Sequence, residues 1–347
     1  MKKSKLYYIF ISTLLLVSCG VDNNIKKGEK FLSIGEYYDA GEQFKKAYAK
    51  TSPKDRSKRG ELALKSAHCY NRINATQKAI AAYRNAVRYD KAAIEDHLSL
   101  GRQLLKVGDY KSAAKEFQLV LDSLPDNILA INGLESATKA PSWKKEGSGY
   151  NIKKEDIFNS RRADFSPALG GDQYNTLYFT STRNEATGDE LSGITGTKPS
   201  DIFVSKKDDK NKWTKPEPVT GGLNSEYEEG TPFFSVDGRE MYITQCLTDD
   251  QYPRYAQIAK SSRNDAAWGK PTLVELTKDT LSNFAHPAIS PDGNWIYFVS
   301  DMPGGQGDLD IWRARITTHG YGGVENLGPQ INTPGREMFP TFRPNGD

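Results

Sequence analysis

The sequence contains few of the residues on which enzyme sites and disulfide-stabilised folds depend. Its 347 residues include 3 cysteines and 4 histidines. It has no G-x-S-x-G, H-E-x-x-H, P-loop or paired C-x-x-C motif, and the tripeptide Gly147-Ser148-Gly149 lacks the strand-turn-helix context of a nucleophilic serine. These absences argue against the common hydrolase, metalloprotease and nucleotide-hydrolysing sites. We therefore expect a protein that is not an enzyme and that uses no cofactor.

A strong charge of one sign is also missing. The chain has 47 lysines and arginines against 44 acidic residues, for a formal net charge of +3, and the two signs are interspersed. Nothing here predicts a nucleic-acid surface. Hydrophobic residues make up 37% of the chain, which is low for one compact core and ordinary for a repeat protein. The length favours about two domains, at roughly 100 to 200 residues each.

The first nineteen residues have the pattern of a targeting signal. Three lysines lie among the first five residues, and residues 6–17 form an apolar run that is too short to cross a bilayer comfortably. The run is followed by Leu16-Val17-Ser18-Cys19, which resembles a bacterial lipobox. The resemblance implies cleavage before Cys19, lipidation of its thiol and retention at a membrane facing an extracytoplasmic space. The alternative is an ordinary signal peptide that contains a cysteine.

Residues 24 to about 140 are predicted to be helical and repetitive. The pattern of small and aromatic residues that begins at Gly28 reappears from Ala67 and again from Gly101, and the last step matches the tetratricopeptide (TPR) period of about 34 residues. Small residues allow paired helices to approach closely, and aromatic residues such as Phe44 and Phe117 fill the gaps. The pattern resembles an array of three TPR units.

The end of the helical array is predicted from a change in composition. Residues 128–139 have the pattern of a cap helix, which covers the apolar face of a terminal repeat. Residues 140–150 contain Pro141 and the tripeptide Gly147-Ser148-Gly149 and look like a linker. We therefore assign residues 1–19 to a signal peptide with lipobox and 20–140 to a TPR array with cap helix. Residues 141–160 are assigned to a linker and 161–347 to β repeats.

The β repeats share a proline, a turn and a strand. The repeated prolines are Pro167, Pro232, Pro287 and Pro340, and the turn that follows contains Asp-Gly or Asn-Gly in three of the copies. Repeats of this length with short strands predict propeller blades of four strands. The SPDG turn at residues 290–293 and the strand at 310–312 resemble the WD40-like repeat PD40, which is known from the TolB propeller. The resemblance implies a β-propeller.

The number of repeats predicts an open propeller. Three blades follow from the first three prolines, and a fourth begins at Phe339-Pro340 and stops within a turn at residues 345–347. Propellers typically close with about four to eight blades. We therefore expect an incomplete protein whose last strand is unpaired or half paired. The predicted fold class is a multidomain α + β protein, with a TPR α-solenoid followed by an incomplete WD40-like propeller.

The remaining metal-binding and redox side chains are scattered. His97 lies where TPR units place a large packing residue, so we predict a structural role. His286 precedes a blade-opening proline, but other residue types hold the equivalent positions in the other blades. Cys69 and Cys246 fall in different predicted domains, so we expect two separate buried thiols and no disulfide.

A group of aspartates leaves two interpretations open. Asp301, Asp308 and Asp310 surround a glycine-rich turn and could offer oxygen ligands to calcium. Aspartates also stabilise tight turns through hydrogen bonds to nearby backbone. We favour the second interpretation and predict no metal.

Binding surfaces are the more natural place to look for function. The TPR register places several polar residues on the inner helices of the array, facing a groove. These are His68, Asn71, Arg72, Arg102 and Lys106, together with Glu61 and Glu95. Exposed cationic side chains suit an acidic or carboxylate-bearing peptide segment, through charge-assisted hydrogen bonds. The same residues could equally form an ordinary solvated face.

The order of lipobox, TPR units and PD40-type blades resembles the PorE-like outer-membrane lipoproteins of the type IX secretion system in Bacteroidota, and other OmpA-family proteins. In that family a further β domain and a peptidoglycan-binding OmpA-like domain follow. Neither is present in this sequence, so we assign no peptidoglycan-binding residue. The resemblance implies a non-enzymatic scaffold that is lipid-anchored at the outer membrane, faces the periplasm and binds protein partners in a secretion or gliding assembly.

Two other functions remain possible from the sequence. Serine peptidases of the prolyl-oligopeptidase type also carry propellers, but their hydrolase domain would have to follow Asp347. A TolB-like component that docks a peptidoglycan-associated lipoprotein is the other alternative. A G-x-S-x-G motif in further sequence would favour the peptidase, whereas an OmpA-like domain would favour the scaffold.

Overall fold

The structure is a computed structural model that describes residues 20–147, 149–171, 174–188, 190–246, 255–264 and 267–343. The predicted signal peptide and Cys19 lie outside these residues. Within the described ranges, no helix has the length and apolar character needed to cross a membrane. The chain divides into two compact units. The helical unit holds the helices up to Asn151, with the short segment Ser192–Gly196, and the β unit holds the strands.

The described residues of the helical unit form seven helices joined by short loops. They are α1 (20–33), α2 (Tyr37–Lys50), α3 (Arg56–Arg72), α4 (Thr76–Arg88), α5 (Ile94–Lys106), α6 (Tyr110–Ser123) and α7 (Ile128–Glu146). Each helix from α2 onward packs on the next one in the chain. Aromatic side chains such as Phe44, Tyr70 and Phe117 are almost completely buried between them. These helical pairs form the TPR-like array that the sequence predicts.

Glycine determines how closely some of the helices approach. A Cβ atom at Gly101 of α5 would lie 2.8 Å from the Phe117 ring of α6. A Cβ atom at Gly133 of α7 would lie 2.5 Å from the same ring. Real Cβ atoms do not approach ring carbons this closely, so α5 and α7 pack against α6 only because these positions lack a side chain.

The last helix is longer than predicted. The cap helix was expected to end near residue 139 and the linker to begin there, but α7 continues through Pro141 to Glu146. Proline removes one backbone donor from a helix, yet α7 continues past Pro141 through a stretch whose residues are mostly exposed. The helix ends instead at Gly147, whose φ of +74° is a left-handed conformation that glycine adopts without steric cost.

Where the structure describes it, the β unit has three antiparallel sheets in which consecutive strands pair. The first has β1 (Asp164–Gly170), β2 (Thr176–Ser181), β3 (Asp201–Lys206) and β4 (Glu217–Pro218). The second has β5 (Glu228–Phe234), β6 (Glu240–Cys246), β7 (Ala256–Asn264) and β8 (Ala267–Trp268), with the short β9 (Thr272–Leu273) also paired to β7. The third has β10 (Phe284–Ile289), β11 (Trp295–Ser300), β12 (Asp310–Thr317) and β13 (Gly320–Asn326).

These sheets have the topology expected of propeller blades. The first strands of successive sheets are in contact, β1 with β5 and β5 with β10. Apolar residues from neighbouring blades fill the junctions between them, including Tyr178 with Ile243 at the first junction and Tyr242 with Phe298 at the second. The chain is therefore an α + β protein in which a TPR-like helical array is followed by antiparallel four-stranded blades.

Each blade begins with the same backbone irregularity. The residue before each blade-opening proline has a left-handed φ, which is +51° at Ser166, +52° at Thr231, +52° at His286 and +57° at Phe339. Each of the three first strands also carries a β-bulge at this point. Non-glycine residues seldom adopt a positive φ. The repeat therefore includes a conformational feature that its proline alone does not reveal.

Hydrogen bonds connect these irregular residues to the preceding blade. The backbone N–H of Thr231 donates to Oγ1 of Thr180 at 2.8 Å, and the N–H of His286 donates to Oγ1 of Thr244 at 2.9 Å. Val299 occupies the corresponding position in the third blade. The N–H of Phe339 instead lies 3.4 Å from Nδ1 of His286.

The predicted fourth repeat is described only as far as residue 343. Residues 337–343 form no strand, although Phe339 keeps the backbone conformation of the other openers. Its ring stacks on His286, with centroids 4.0 Å apart. The turn predicted at residues 345–347 lies outside the described residues.

Candidate interaction surface of the helical unit

The predicted groove residues lie on α3 and α5, the first helices of two neighbouring pairs. Three side-chain contacts connect α5 with α3 and with the turn that follows α3. His68 Nε2 lies 2.6 Å from Asp96 Oδ1, Gln103 Nε2 donates to Asn71 Oδ1 at 2.7 Å, and Lys106 Nζ donates to Asn74 Oδ1 at 2.7 Å. We call the surface formed by these six residues the polar ladder.

Asp96 is the acidic residue of the polar ladder, and it is almost fully buried. Only 6% of this residue is exposed, and its Oδ2 accepts a hydrogen bond from the N–H of Ala93 at 2.8 Å, which fixes it at the start of α5. Burial disfavours the ionised carboxylate, but the hydrogen bonds from His68 and Ala93 outweigh this effect and lower the pKa of Asp96. The carboxylate therefore holds the exposed imidazole of His68 in one place.

The amide pair is held in a similar way. Gln103 is 3% exposed, and its Nε2 donates a hydrogen bond to Asn71 Oδ1. Its Oε1 atom is buried and has no hydrogen-bond partner in the described part of the chain. A buried amide in this position is restricted to few rotamers, and Asn71 is positioned with it.

The two arginines of the predicted groove differ from each other. Arg102 is exposed on α5 and forms no ion pair or hydrogen bond with any described residue. Arg72 lies at the end of α3, and its guanidinium is 5.8 Å from the ring centroid of Tyr37 on α2. Arg72 of α3 therefore contacts a side chain of α2. Arg102 lies on α5, the helix that also carries Asp96, Gln103 and Lys106.

The acidic residues of the predicted groove also separate. Glu61 is paired with Lys91 at 3.1 Å and accepts a hydrogen bond from Ser57, and these two contacts lower its pKa. Glu95 is exposed at the start of α5. The groove is therefore less cationic than the sequence indicates, because His68 and Lys106 are already engaged by Asp96 and Asn74.

Sequence reasoning found three members of the polar ladder and missed Asp96, Gln103 and Asn74. A signal was available, because Asn71 and Gln103 are separated by 32 residues, as are Asn74 and Lys106. Complementary residues at a constant separation close to the repeat period are expected where equivalent helices lie side by side. Asn71 and Asn74 therefore each have a partner about one repeat later in the chain.

The other candidate ligands form local structural contacts. His97 is packed between α5 and α6, with Nδ1 2.6 Å from Oε2 of Glu116, in agreement with its predicted structural role. Asp301 accepts hydrogen bonds from Asn283, and Asp308 pairs with Arg336. Asp310 accepts a hydrogen bond from the N–H of Gln306 in the glycine-rich turn.

Neither of the two described cysteines, Cys69 and Cys246, forms a disulfide with a described residue. Cys69 is buried in the helical unit, and burial raises the pKa of its thiol to about 12. Cys246 is only partly buried, so the prediction of two buried thiols is correct for Cys69 and wrong for Cys246. The end of β6 is close to the surface of the second blade, which the sequence pattern of its strand does not indicate. Predicted lipidation of Cys19 falls outside the described residues.

No protein-family model matches the chain, and no curated protein matches it. Among solved structures, it is similar to the first TPR of Spaghetti (RPAP3) bound to an HSP90 peptide, with 22% identity, a TM-score of 0.29, and coverage of 36% of this chain and 95% of that one. It is similar to TolB from Acinetobacter baumannii, with 18% identity, a TM-score of 0.33, and coverage of 52% of this chain and 35% of that one.

A third similarity is to a TolB-like protein from Agrobacterium tumefaciens, with 20% identity, a TM-score of 0.30, and coverage of 55% of this chain and 70% of that one. The chain spans about a third of the length of the Acinetobacter TolB structure. Identities and TM-scores at this level say nothing about function.

Proposed function

We propose that this protein is a non-enzymatic scaffold that binds an acidic peptide segment of a partner protein along the polar ladder and Arg102. The observation that supports this function is the set of three cross-helix contacts, which fix polar groups on an exposed surface before any partner arrives. A surface whose side chains are already ordered loses less conformational entropy on binding. An ordinary solvated face has no need for such order.

Charge indicates the chemistry of the partner. The carboxylate of Asp96 is hydrogen-bonded to the His68 imidazole and the Ala93 N–H, whereas the guanidinium of Arg102 has no described partner. A planar guanidinium binds carboxylates through paired hydrogen bonds. The amides of Asn71 and Asn74, which are less buried than Gln103, can bind the backbone of an extended peptide, and Arg102 can bind one of its acidic side chains.

The proposal includes the cellular setting. The lipobox at residues 16–19 supports a lipid anchor at Cys19, and the order of lipobox, TPR units and blades supports an outer-membrane lipoprotein that faces the periplasm. We propose that its partners belong to a type IX secretion or gliding assembly. Attachment to peptidoglycan would require a separate domain, since no residue of this sequence is assigned to that role.

Affinity purification from detergent-solubilised membranes tests the function. We expect Arg102→Ala to reduce the co-purified partners by about tenfold or more, because a hydrogen bond to a charged group contributes roughly 1.5–3 kcal/mol. Lys111→Ala removes an exposed charge from α6 and serves as the matched control. Replacement of Arg72, Arg102 and Lys106 together by alanine should reduce binding further, with little change in melting temperature.

The outcomes separate the surface from the anchor. Equal recovery of partners by wild type, Arg102→Ala and the triple variant would contradict the groove. Cys19→Ala should move the protein from the membrane to the soluble fraction while leaving binding of purified partners unchanged. Mass spectrometry that finds an unacylated mature chain beginning elsewhere would contradict the anchor without affecting the groove.

A further inference from the structure

An open cleft lies between the first and second blades, at the end where their first hairpins turn. Its volume is about 930 Å³, and it is lined by the hairpin turns of both blades and by the end of β7. This volume is near the upper end of the range for ligand sites in proteins, roughly 300–1,000 Å³. The cleft belongs entirely to the β unit and shares no residue with the polar ladder.

The floor of the cleft is aromatic and rigid. Tyr178, Phe234 and Trp268 contact one another, with ring centroids 5.2–6.2 Å apart. Trp268 Nε1 donates to the Tyr178 hydroxyl at 3.4 Å, so these two polar atoms of the floor are hydrogen-bonded to each other. Tyr178 and Trp268 are almost fully buried, and Phe234 is the partly exposed member. The surface offered to a ligand is therefore mainly the Phe234 ring.

Apolar and cationic side chains surround this floor. Tyr174 is 57% exposed and Val236 is 66% exposed, on opposite sides of the opening. Arg239 and Arg263 are also exposed at the cleft. The nearby acid, Asp237, accepts hydrogen bonds from the Ser235 hydroxyl and the Arg239 N–H within its own turn. The two arginines outnumber this one acid, so the charged side chains that line the described cleft carry a formal net charge of +1.

The second junction between blades provides an internal comparison. Tyr242 and Tyr321 occupy the positions of Tyr178 and Trp268, with their hydroxyls 3.0 Å apart. Ile289 replaces Phe234 and is only 5% exposed, and Asn294 replaces Arg239. The same framework therefore carries an aromatic ring and an arginine at the first junction but a buried aliphatic residue and a neutral amide at the second. Packing of the blades alone does not require the ring and the charge.

We infer that this cleft is a second docking site, which takes an extended peptide segment carrying an aromatic side chain next to an acidic one. The aromatic side chain packs on Phe234 beside Tyr174 and Val236, and the carboxylate binds Arg239. Charge complementarity favours an acidic partner, and the exposed sides of the opening leave room for a chain to enter and leave. The inference does not depend on the groove of the helical unit.

Calorimetric titration with short peptides tests the inference. The probe is acetyl-Gly-Asp-Phe-Asp-Gly-amide, and its two controls replace the phenylalanine by alanine or both aspartates by lysine. We expect the first peptide to bind at least tenfold more tightly than either control. Phe234→Ile and Arg239→Asn, which introduce the residues of the second junction, should each weaken binding about tenfold. Arg162→Asn changes an exposed arginine beyond the opposite end of β1 and should have no effect.

Each outcome decides the matter. No binding of the probe, equal binding of the control peptides, or unchanged binding by Arg239→Asn overturns the inference. Phenylacetate is titrated in parallel, and binding as tight as that of the peptide would identify a small-molecule site instead. Tryptophan fluorescence verifies the fold of Phe234→Ile, and if that variant is unfolded the exposed Arg239→Asn still provides the result.

Discussion

The two units solve the problem of joining repeats in different ways. In the helical unit, neighbouring helices meet through shape, with glycines such as Gly101 and Gly133 pressed against the Phe117 ring. In the β unit, neighbouring blades also meet through polar contacts, such as the Thr180 hydroxyl with the N–H of Thr231 and the Tyr242 hydroxyl with that of Tyr321. The contacts of α6 with α5 and α7 depend on volume, although the polar ladder also joins the repeats of α3 and α5. The blade junctions depend on matched donors and acceptors as well.

This difference affects how each unit should respond to substitution. Close packing is sensitive to the addition of even one methyl group. A buried polar contact is sensitive to the removal of one partner, because the remaining group is left without water or a hydrogen bond. The comparison can be tested separately in each unit, since four of the five tryptophans lie in the β unit and the helices dominate the circular dichroism signal at about 222 nm.

The largest effect is expected at a buried ion pair within the first blade. Arg183 donates to Asp164 Oδ1 at 2.7 Å and to the carbonyl oxygen of Phe158 at 2.6 Å, and its guanidinium lies between the rings of Phe179 and Phe203. Arg183→Met should destabilise the β unit by about 3–5 kcal/mol, because it leaves the buried Asp164 carboxylate without its cation. Urea denaturation followed by tryptophan fluorescence measures the loss.

The same pair has a defined pH dependence. Burial disfavours the Asp164 carboxylate, but hydrogen bonds from Ser181 and Arg183 outweigh this effect and lower its pKa. The stabilisation is therefore present at neutral pH and is lost as the pH falls below about 4, the ordinary value for aspartate. Lys215→Met breaks the exposed pair with Glu185 and should change stability by less than about 1 kcal/mol. Similar losses in the two variants would contradict the role of burial.

A smaller effect is expected where one blade contacts the next. Thr180→Val keeps the shape of the side chain but removes the acceptor for the N–H of Thr231, at a cost of about 1–3 kcal/mol. Valine is the natural residue at position 299, where that contact is absent. Thr272→Val is the control, because it removes an exposed hydroxyl whose hydrogen bond to the Lys260 carbonyl oxygen is long, at 3.3 Å, and open to water. If the two variants have equal free energies of unfolding, polar matching contributes nothing to this junction.

The smallest net effect is expected from a single methyl group in the helical unit. Gly133→Ala places a Cβ atom 2.5 Å from Phe117. Overpacking costs about 1–3 kcal/mol, partly offset by the roughly 1 kcal/mol that alanine gains in helix propensity. Gly20→Ala has only the flexible end of Lys50 within 4 Å and should be neutral or stabilising. Circular dichroism during thermal unfolding compares the two, and a stabilised Gly133→Ala variant would show that α7 has room to move.

Periodicity predicted most of the fold. Repeats of small and aromatic residues identified the TPR-like helices, and repeated prolines with Asp-Gly turns identified the blades. The prediction that the helix ends near residue 139 is wrong, because Pro141 lies inside α7 and does not end it. In the structure the left-handed Gly147 ends the helix, and proline at an exposed position interrupts only one backbone hydrogen bond.

The candidate sites were less accessible from the sequence. The register placed His68, Asn71 and Lys106 on the correct helices, but the contacts of Asp96 and Gln103 depend on which helices become neighbours. The cleft was not predicted at all. Phe234 resembles any other core residue of a strand, and its partial exposure results from how the hairpin turns of two blades diverge.

The left-handed residues at the start of the blades have a consequence for cooperativity. A β-branched residue such as Thr231 pays a conformational cost for a positive φ, on the order of 1–3 kcal/mol. The N–H groups of Thr231 and His286 are held by hydroxyls of the blade that precedes each of them. When one blade unfolds, the next therefore loses a contact that keeps its first strand in a strained shape, whereas the preceding blade loses no such support. Unfolding should spread more easily toward the C-terminus than toward the N-terminus.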